Sequence, residues 1–280
     1  MSRNQDAMPQ SSFFAVVRCG AFFYPEKTID VLRAYIAEGV DVNAQDQYGC
    51  TALMYAAERG SAETVRALIE AGASASLETR NDDGDTVLLC AAFLNSNVEV
   101  FKALIAAGAD VNASTDFGIS ALMAAAGANV DRGRTSHTAL KYYAVQFNPD
   151  IRVVKALIAA GADVNAQDIS GYTALMFAAG HGSADTVRAL IEAGAKCDSC
   201  NDFGESALML AVRGRPKFET VLALVDAGAD VMVTDNKGNT ALDYAEANER
   251  MRGTAACKAL NEAYRKQKRR QRRLSFLTWR

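Results

Sequence analysis

The chain has 280 residues, 50% hydrophobic and 22% charged, a composition that can bury a sizeable core and that excludes a disordered polyelectrolyte. No apolar run approaches the ~20 residues needed to span a bilayer, and the early stretch SSFFAVVRCGAFF is interrupted by Arg18 and lacks a charged leader, so a cytoplasmic location is expected. The net charge of −3 hides two opposite parts: residues 265–280 carry eight Lys or Arg and no Asp or Glu, which leaves 22 basic against 33 acidic residues in the body.

In chain order, a lead-in over 1–10 precedes TIDVLRAYIAEGVDVNA, which reads as a degenerate first helix and cap. From Gly49 the framework G-x-[TS]-[AV]-L recurs at Gly84, Gly118, Gly171, Gly204 and Gly238, with spacings of 35, 34, 53, 33 and 34. Self-similarity at a period near 33 signals a stacked repeat array. Each unit predicts two antiparallel helices. The first opens at a Thr or Ser (Thr51, Thr86, Ser120, Thr173, Ser206, Thr240) whose hydroxyl can accept from a free backbone N–H. The second repeats apolar residues at i, i+3 and i+4, as in Val65, Leu68 and Ile69 or Val187, Leu190 and Ile191, and this stripe is core. A glycine then ends it (39, 72, 108, 161, 194, 228). Asp46, Asp168 and Asp235, three residues before a glycine, suit the first position of a tight turn and a projecting finger.

The spacing of 53 marks an insertion over about 128–148, inside which Thr138–Ala144 echoes the first-helix opening and predicts an extra half-repeat helix. Arg132, Arg134, His137, Lys141 and Tyr142 there are candidates for contact, and a tolerated insertion without a role is the alternative. Six cysteines scattered through the chain suit a reducing compartment. Catalytic chemistry finds no support in the pattern. His137 and His181 have no fixed partners, no phosphate-cradling glycine loop is present, and Cys197-x-x-Cys200 lacks a second ligand pair, with Cys197 replacing Val164 as a small buried hydrophobe. No enzyme, metal or cofactor is expected.

These units resemble ankyrin repeats over roughly 11–264. The family's T-P-L-H opening stands here as Thr51-Ala52-Leu53-Met54 and Thr173-Ala174-Leu175-Met176. Met at 54, 123, 176 and 209 in place of His implies thioether packing where the family uses inter-repeat hydrogen bonds. The resemblance implies an all-α solenoid of about seven helix-turn-helix units with β-hairpin fingers, acting as a non-catalytic, monomeric scaffold that binds another protein through a concave face of finger tips and first-helix edges.

Two stretches test this reading. Residues 46–73 and 168–195 agree at 21 of 28 positions and differ at 47/169, 48/170, 50/172, 55/177, 58/180, 59/181 and 63/185. By the family geometry 47, 48, 50, 58 and 59 are contact positions, although neutral variation at exposed sites leaves the same pattern. Tyr48, Arg59, Asp83, Phe93, Phe117, Tyr172, His181, Phe203 and Arg213 are therefore the candidate partner-binding residues. Aromatic tips supply rigid contact area, or else pack on the next finger. Acidic tips at Asp82, Asp83, Asp85, Asp116, Asp202 and Glu205 point to a partner with a basic or mixed basic and apolar patch. The tail offers a second reading. Arg269, Arg270, Arg272 and Arg273 with Lys266 and Lys268 read as a nuclear-import or nucleic-acid patch, or as an anionic-membrane tether with Leu274, Phe276, Leu277 and Trp279 inserting, or else they only cap the last helix while the apolar end folds back on the array. Arg272-Arg273-Leu274-Ser275 also matches a basophilic kinase site. A bacterial ankyrin-type effector is the weakest reading.

Overall fold

The computed structural model describes residues 10–23, 25–127, 150–181, 183–213 and 218–277. Among the described residues there are fourteen α-helices and no β-strand longer than an isolated bridge. The chain is an all-α repeat solenoid. The insertion over 128–148, with its candidate residues and its expected helix, lies outside the described residues, as does the side chain of Ser275.

The helices group into two compact units. In the first, α1 (Gln10–Phe23), α3 (Ala52–Arg59) and α5 (Val87–Leu94) form an inner row, and α2 (Pro25–Ala37), α4 (Ala62–Glu70), α6 (Val98–Ala106) and α8 (Ile151–Ala159) an outer row. α7 (Ala121–Ala126) follows in the chain, opened by Ser120. In the second unit α9 (Ala174–His181), α11 (Ala207–Val212) and α13 (Ala241–Ala247) are inner, and α10 (Ala184–Glu192), α12 (Phe218–Asp226) and α14 (Ala255–Leu277) outer. Inner helices are short and rich in Ala because each is sandwiched between two neighbours: Ala52, Ala56 and Ala57 are fully buried, beside Leu53 and Met54. SSFFAVVRCGAFF becomes α1, whose Phe13 and Val17 are buried against the next pair.

The helix starts follow the expected chemistry with one exception. Thr51, Ser120, Thr173 and Ser206 accept from the backbone N–H of Met54, Met123, Met176 and Met209, and Thr240 from that of Asp243. Thr86 makes no such bond, and its buried hydroxyl has no partner. All four methionines are buried, and Met54 Sδ accepts from the Thr51 N–H at 3.5 Å. The glycines after the outer helices take positive φ, as Gly72 does at +99°.

Bonds between consecutive units hold the stack together. Asn43, Asn112 and Asn165, the Asn of each D-V-N-A segment, donate Nδ2 to the carbonyls of Gly72, Gly161 and Gly194. Asn95 Nδ2 donates to Ala57 O at 2.8 Å and Gly60 O at 3.2 Å, satisfying the open C-terminal carbonyls of α3 from the next pair. Asn248 Nδ2 does the same for Val212 O at 3.0 Å.

Candidate partner-binding surfaces

Every finger is built by one side-chain oxygen. Asp46 Oδ1 accepts from the N–H groups of Tyr48 and Cys50, and its backbone N–H donates to Cys50 O. The same pair of side-chain bonds is made by Asn81, Thr115, Asp168, Asn201 and Asp235. The turn residue can thus be Asp, Asn or Thr, since each offers an acceptor oxygen one or two bonds beyond Cβ. The expectation from the Asp residues alone missed Asn81, Thr115 and Asn201, which the Asx and Thr turn preference would have found. Fingers are turns closed by single antiparallel bridges such as Gln45 to Thr51, rather than full hairpin ladders. Neighbouring fingers are stitched by Asp82 N–H to Tyr48 O, Asp202 N–H to Ser170 O and Asn236 N–H to Phe203 O. That approach requires glycine: at Gly49, with φ +68°, a Cβ would lie 2.9 Å from Asp82 Oδ1 and 3.1 Å from its backbone N.

The fixed tips present different side chains. Phe117 and Phe203, at the same register position, are 56% and 58% exposed, and Ile169 is also exposed. Tyr48 is half-buried at that position in the first finger, Asp83 is half-buried in the second, and Asp82, Asp116 and Asp202 are exposed. The next position but one does not belong to the exposed tip. Cys50, Asp85, Ile119 and Glu205 are buried there, because the chain turns down toward the inner helix, so Asp85 and Glu205 are not part of an acidic rim. Tyr172 is half-buried at this position and stacks on Phe177, with ring centroids 5.4 Å apart.

This last contact explains two of the seven differences between the near-copies. In the first copy Tyr55 occupies the place of Phe177 and its hydroxyl donates to Asp46 Oδ2 at 2.7 Å, above a small Cys50. In the second the hydroxyl is gone and Tyr172 fills the space with a stacked ring. Positions 50/172 and 55/177 vary together as a packing pair. Burial, then the Asp46 charge, pushes the Cys50 thiol up to about 11, and burial followed by the bond to Asp46 raises the Tyr55 phenol above its ordinary value. Tyr244 repeats the bond on Asp235, which lowers that carboxyl and raises the phenol.

The inner-helix edge carries the remaining candidates. Glu58, expected as a contact residue, is buried, and its Oε1 pairs with the half-buried Arg59 at 3.2 Å. Phe93 is half-buried on α5, one repeat on from Glu58. In the second unit His181 is exposed at the end of α9. Arg213, after α11, is 55% exposed and pairs with Glu205, which is 6% exposed and also accepts from Asn201 Nδ2. The structure therefore brings Tyr48 and Arg59 onto the finger and inner-helix side of one unit, with Asp83, Phe93 and Phe117, and Tyr172, His181, Phe203 and Arg213 onto that of the other.

A shallow cleft lies on this side of each unit. That of the first measures about 380 Å³ and is walled by Phe14, Tyr48 and Tyr55, with Arg18 and Asp46 as its charged groups. That of the second measures about 410 Å³ and includes Arg213, Tyr244, Asn248 and Arg250. Mixed aromatic and charged hollows of this size accept side chains of a docking polypeptide. Among the described residues no group of three or more His, Cys, Asp and Glu is placed to hold a metal ion. Cys197 and Cys200 are free and half-buried, not buried as expected, since their loop lies between a helix end and the next finger. Burial, then Asp198, raises both thiols.

The basic tail is no separate segment: α14 runs without a break to Leu277, and Arg265, Lys266, Lys268, Arg269, Arg270, Arg272 and Arg273 on it are all exposed. No described helix is long and apolar enough to cross a membrane.

Comparison with known proteins agrees with this architecture. The family model for ankyrin repeats matches in three copies, over 21–115, 141–235 and 175–267. The B-cell lymphoma 3 protein homolog of Mus musculus is 32% identical over 184 residues, 65% of this chain and 37% of that protein, and the human B-cell lymphoma 3 protein is 32% identical over 65% of this chain and 36% of its own length. The chain thus spans little more than a third of these relatives. In fold it is similar to the crystal structure of the ankyrin repeat domain of Bcl-3, described as a unique member of the IkappaB protein family (TM-score 0.65, 23% identity, 92% of this chain and 100% of that one). It is similar also to the human ASB11 ankyrin repeat domain (TM-score 0.68, 21% identity, 88% and 96%). The chain belongs to the ankyrin repeat family, whose domains are typically non-catalytic and generally mediate protein–protein interaction.

Proposed function

We propose that this protein is a non-catalytic scaffold that binds another protein through its finger tips and inner-helix edges, in a reducing, cytoplasmic setting. The observation that carries the reading is the exposure of Phe117 and Phe203 at equivalent tips whose backbones are clamped by Thr115 and Asn201. A large aromatic held in water by a rigid turn costs hydration free energy in the free protein and loses little entropy on docking, which is the condition for an interface anchor. The exposed Asp82, Asp116 and Asp202 beside them favour a partner whose apolar pockets are rimmed by basic groups.

A photo-crosslinking amino acid at 117 or 203 tests this, with Lys155 on the outer helix α8 as the comparison site. The same partner protein trapped from both tips and not from 155 is the expected result. Substituting Phe117→Ala and Phe203→Ala should weaken capture by about 30-fold or more per residue at ~2 kcal/mol each, with helicity unchanged. Equal capture by the double variant would refute the proposal.

A further inference from the structure

The last described helix, α14, does two different things on two faces. Taking 100° per residue, Leu260, Tyr264, Gln267, Gln271 and Leu274 fall in one narrow stripe, and Leu260 and Gln267 of these secure α14 to the array. Leu260 is fully buried, and Gln267 is clamped on both atoms, with Oε1 accepting from Val231 N–H at 3.1 Å and Nε2 donating to Ala229 O at 3.2 Å. Between Arg265 and Arg273 the remaining positions are all cations, Arg265, Lys266, Lys268, Arg269, Arg270, Arg272 and Arg273, every one exposed, and together they sweep an arc of about 200°. From Lys268 on, no Asp or Glu stands three or four residues away, and the segment stacks like charges at 265/269, 266/270, 268/272 and 269/273. Such pairs oppose the helix. A cap needing only solubility would mix signs.

We propose that the C-terminal half of α14 is a duplex-DNA-binding helix, reading shape and phosphate rather than base sequence. The width of the arc decides between polyanions. A flat anionic membrane faces one side of a helix and calls for an apolar face to insert, whereas here the stripe opposite the cations is spent on the array as far as Gln267, with Gln271 and Leu274 (54% exposed) the next positions along it. A B-form major groove admits an α-helix and flanks it with a phosphate strand on each side, which is what cations at both edges and the middle of a wide arc complement. With Gln267 held by the array and Gln271 the one other amide between Arg265 and Arg273, base-edge readout is minimal and the contacts go to phosphates.

The test uses the full 280-residue protein and a labelled mixed-sequence DNA duplex of about two helical turns, followed by fluorescence anisotropy. With five to seven phosphate contacts, the plot of log K against log salt should fall with a slope of about −5 to −6, a loss on the order of 10³-fold between about 50 and 200 mM salt. An RNA duplex of equal length and charge should bind at least about tenfold more weakly, because its major groove is too narrow for a helix. Replacing Lys268, Arg269, Arg270, Arg272 and Arg273 each by Gln, a good helix former, should remove binding and flatten the slope by about five. Lys in place of the four Arg should retain it, and circular dichroism checks that both variants keep α14. Phe117→Ala with Phe203→Ala should bind DNA like the parent, so this surface and the finger tips fail independently. Absence of DNA binding at the lower salt, unchanged binding by the Gln variant, equal affinity for the RNA duplex, or tighter binding to phosphatidylserine-rich vesicles would each overturn the proposal.

Discussion

Removing one amide, Asn95, should loosen the first unit more than deleting an exposed aromatic. Asn95 is 7% exposed and uses both side-chain atoms: Nδ2 donates to Ala57 O and Gly60 O, and Oδ1 accepts from Asn97 N–H at 2.8 Å. Those carbonyls close α3 and have no helical donor of their own. Each bond contributes about 1 kcal/mol net, and burying an acceptor without a partner costs about as much again, so Asn95→Ala should destabilise by about 2–4 kcal/mol. Near 2–4 °C per kcal/mol for a unit of this size, the melting temperature should fall by roughly 5–15 °C. Asn95→Asp keeps the acceptor for Asn97 and loses the donor, so most of the cost should remain with it. Urea and thermal melts by circular dichroism give the size of the effect, and hydrogen exchange should place the loss of protection in α3, α5 and the loop between α5 and α6. A cost below about 0.5 kcal/mol for Ala, or an Asp variant as stable as the parent, would refute the claim that this amide ties one pair to the next.

Two more expectations concern the first finger. The packing pair at 50 and 55 should behave as a unit in a double-mutant cycle: Cys50→Tyr alone overfills the site and Tyr55→Phe alone loses the bond to Asp46, while the two together recreate the stack of the second copy, with a coupling of about 1–2 kcal/mol, and additive singles would show that the positions are independent. For pH, a thiol raised from 9.0 to about 11 on folding binds its proton more tightly in the folded state, so its contribution is fully present below about pH 9 and is lost as pH rises through about 11, some 2–3 kcal/mol in all. Denaturant midpoints measured across that window should drop in the parent and drop less in Cys50→Ala, and identical alkaline limbs would contradict it.

Repetition made the fold legible before any coordinate. The recurrence of G-x-[TS]-[AV]-L fixed the inner-helix starts, and the apolar stripes fixed the outer helices, because both report forces that act within one unit. What stayed hidden acts between units or between turns of chain. The Asn of each D-V-N-A segment was visible only as a marker, since its acceptor is a carbonyl some 29 to 49 residues away. Asp85 and Glu205 looked like tip residues because nothing local shows that the chain turns inward two residues after the apex. Thr86 carries the same residue type as the bonded caps Thr51, Thr173 and Thr240 and makes no cap bond, which no spacing rule could foresee. The tail was read as an appendage because its composition changes, whereas its backbone does not: one helix carries the last packed residues and the cations alike.

The near-copied stretches separate what packing demands from what it leaves free. Of the seven differences, 50/172 and 55/177 compensate each other, and 63/185 exchanges one exposed carboxylate for another at the first turn of an outer helix, where either favours the helix dipole. At 58/180 a buried glutamate paired with Arg59 gives way to glycine, and its partner at 59/181 becomes an exposed histidine, so an ion pair departs as a pair. What remains uncompensated is 47/169 and 48/170, where Gln and Tyr become Ile and Ser at the apex of the turn. The turn's own bonds use backbone N–H groups at 48 and 50 and at 170 and 172, so the turn closes in the same way whichever side chains stand at its apex. Positions whose side chains the turn does not specify can drift or can be shaped by a partner. An apex Ile169 left largely in water argues for the second, since drift at an exposed turn runs toward polar residues that solvent favours.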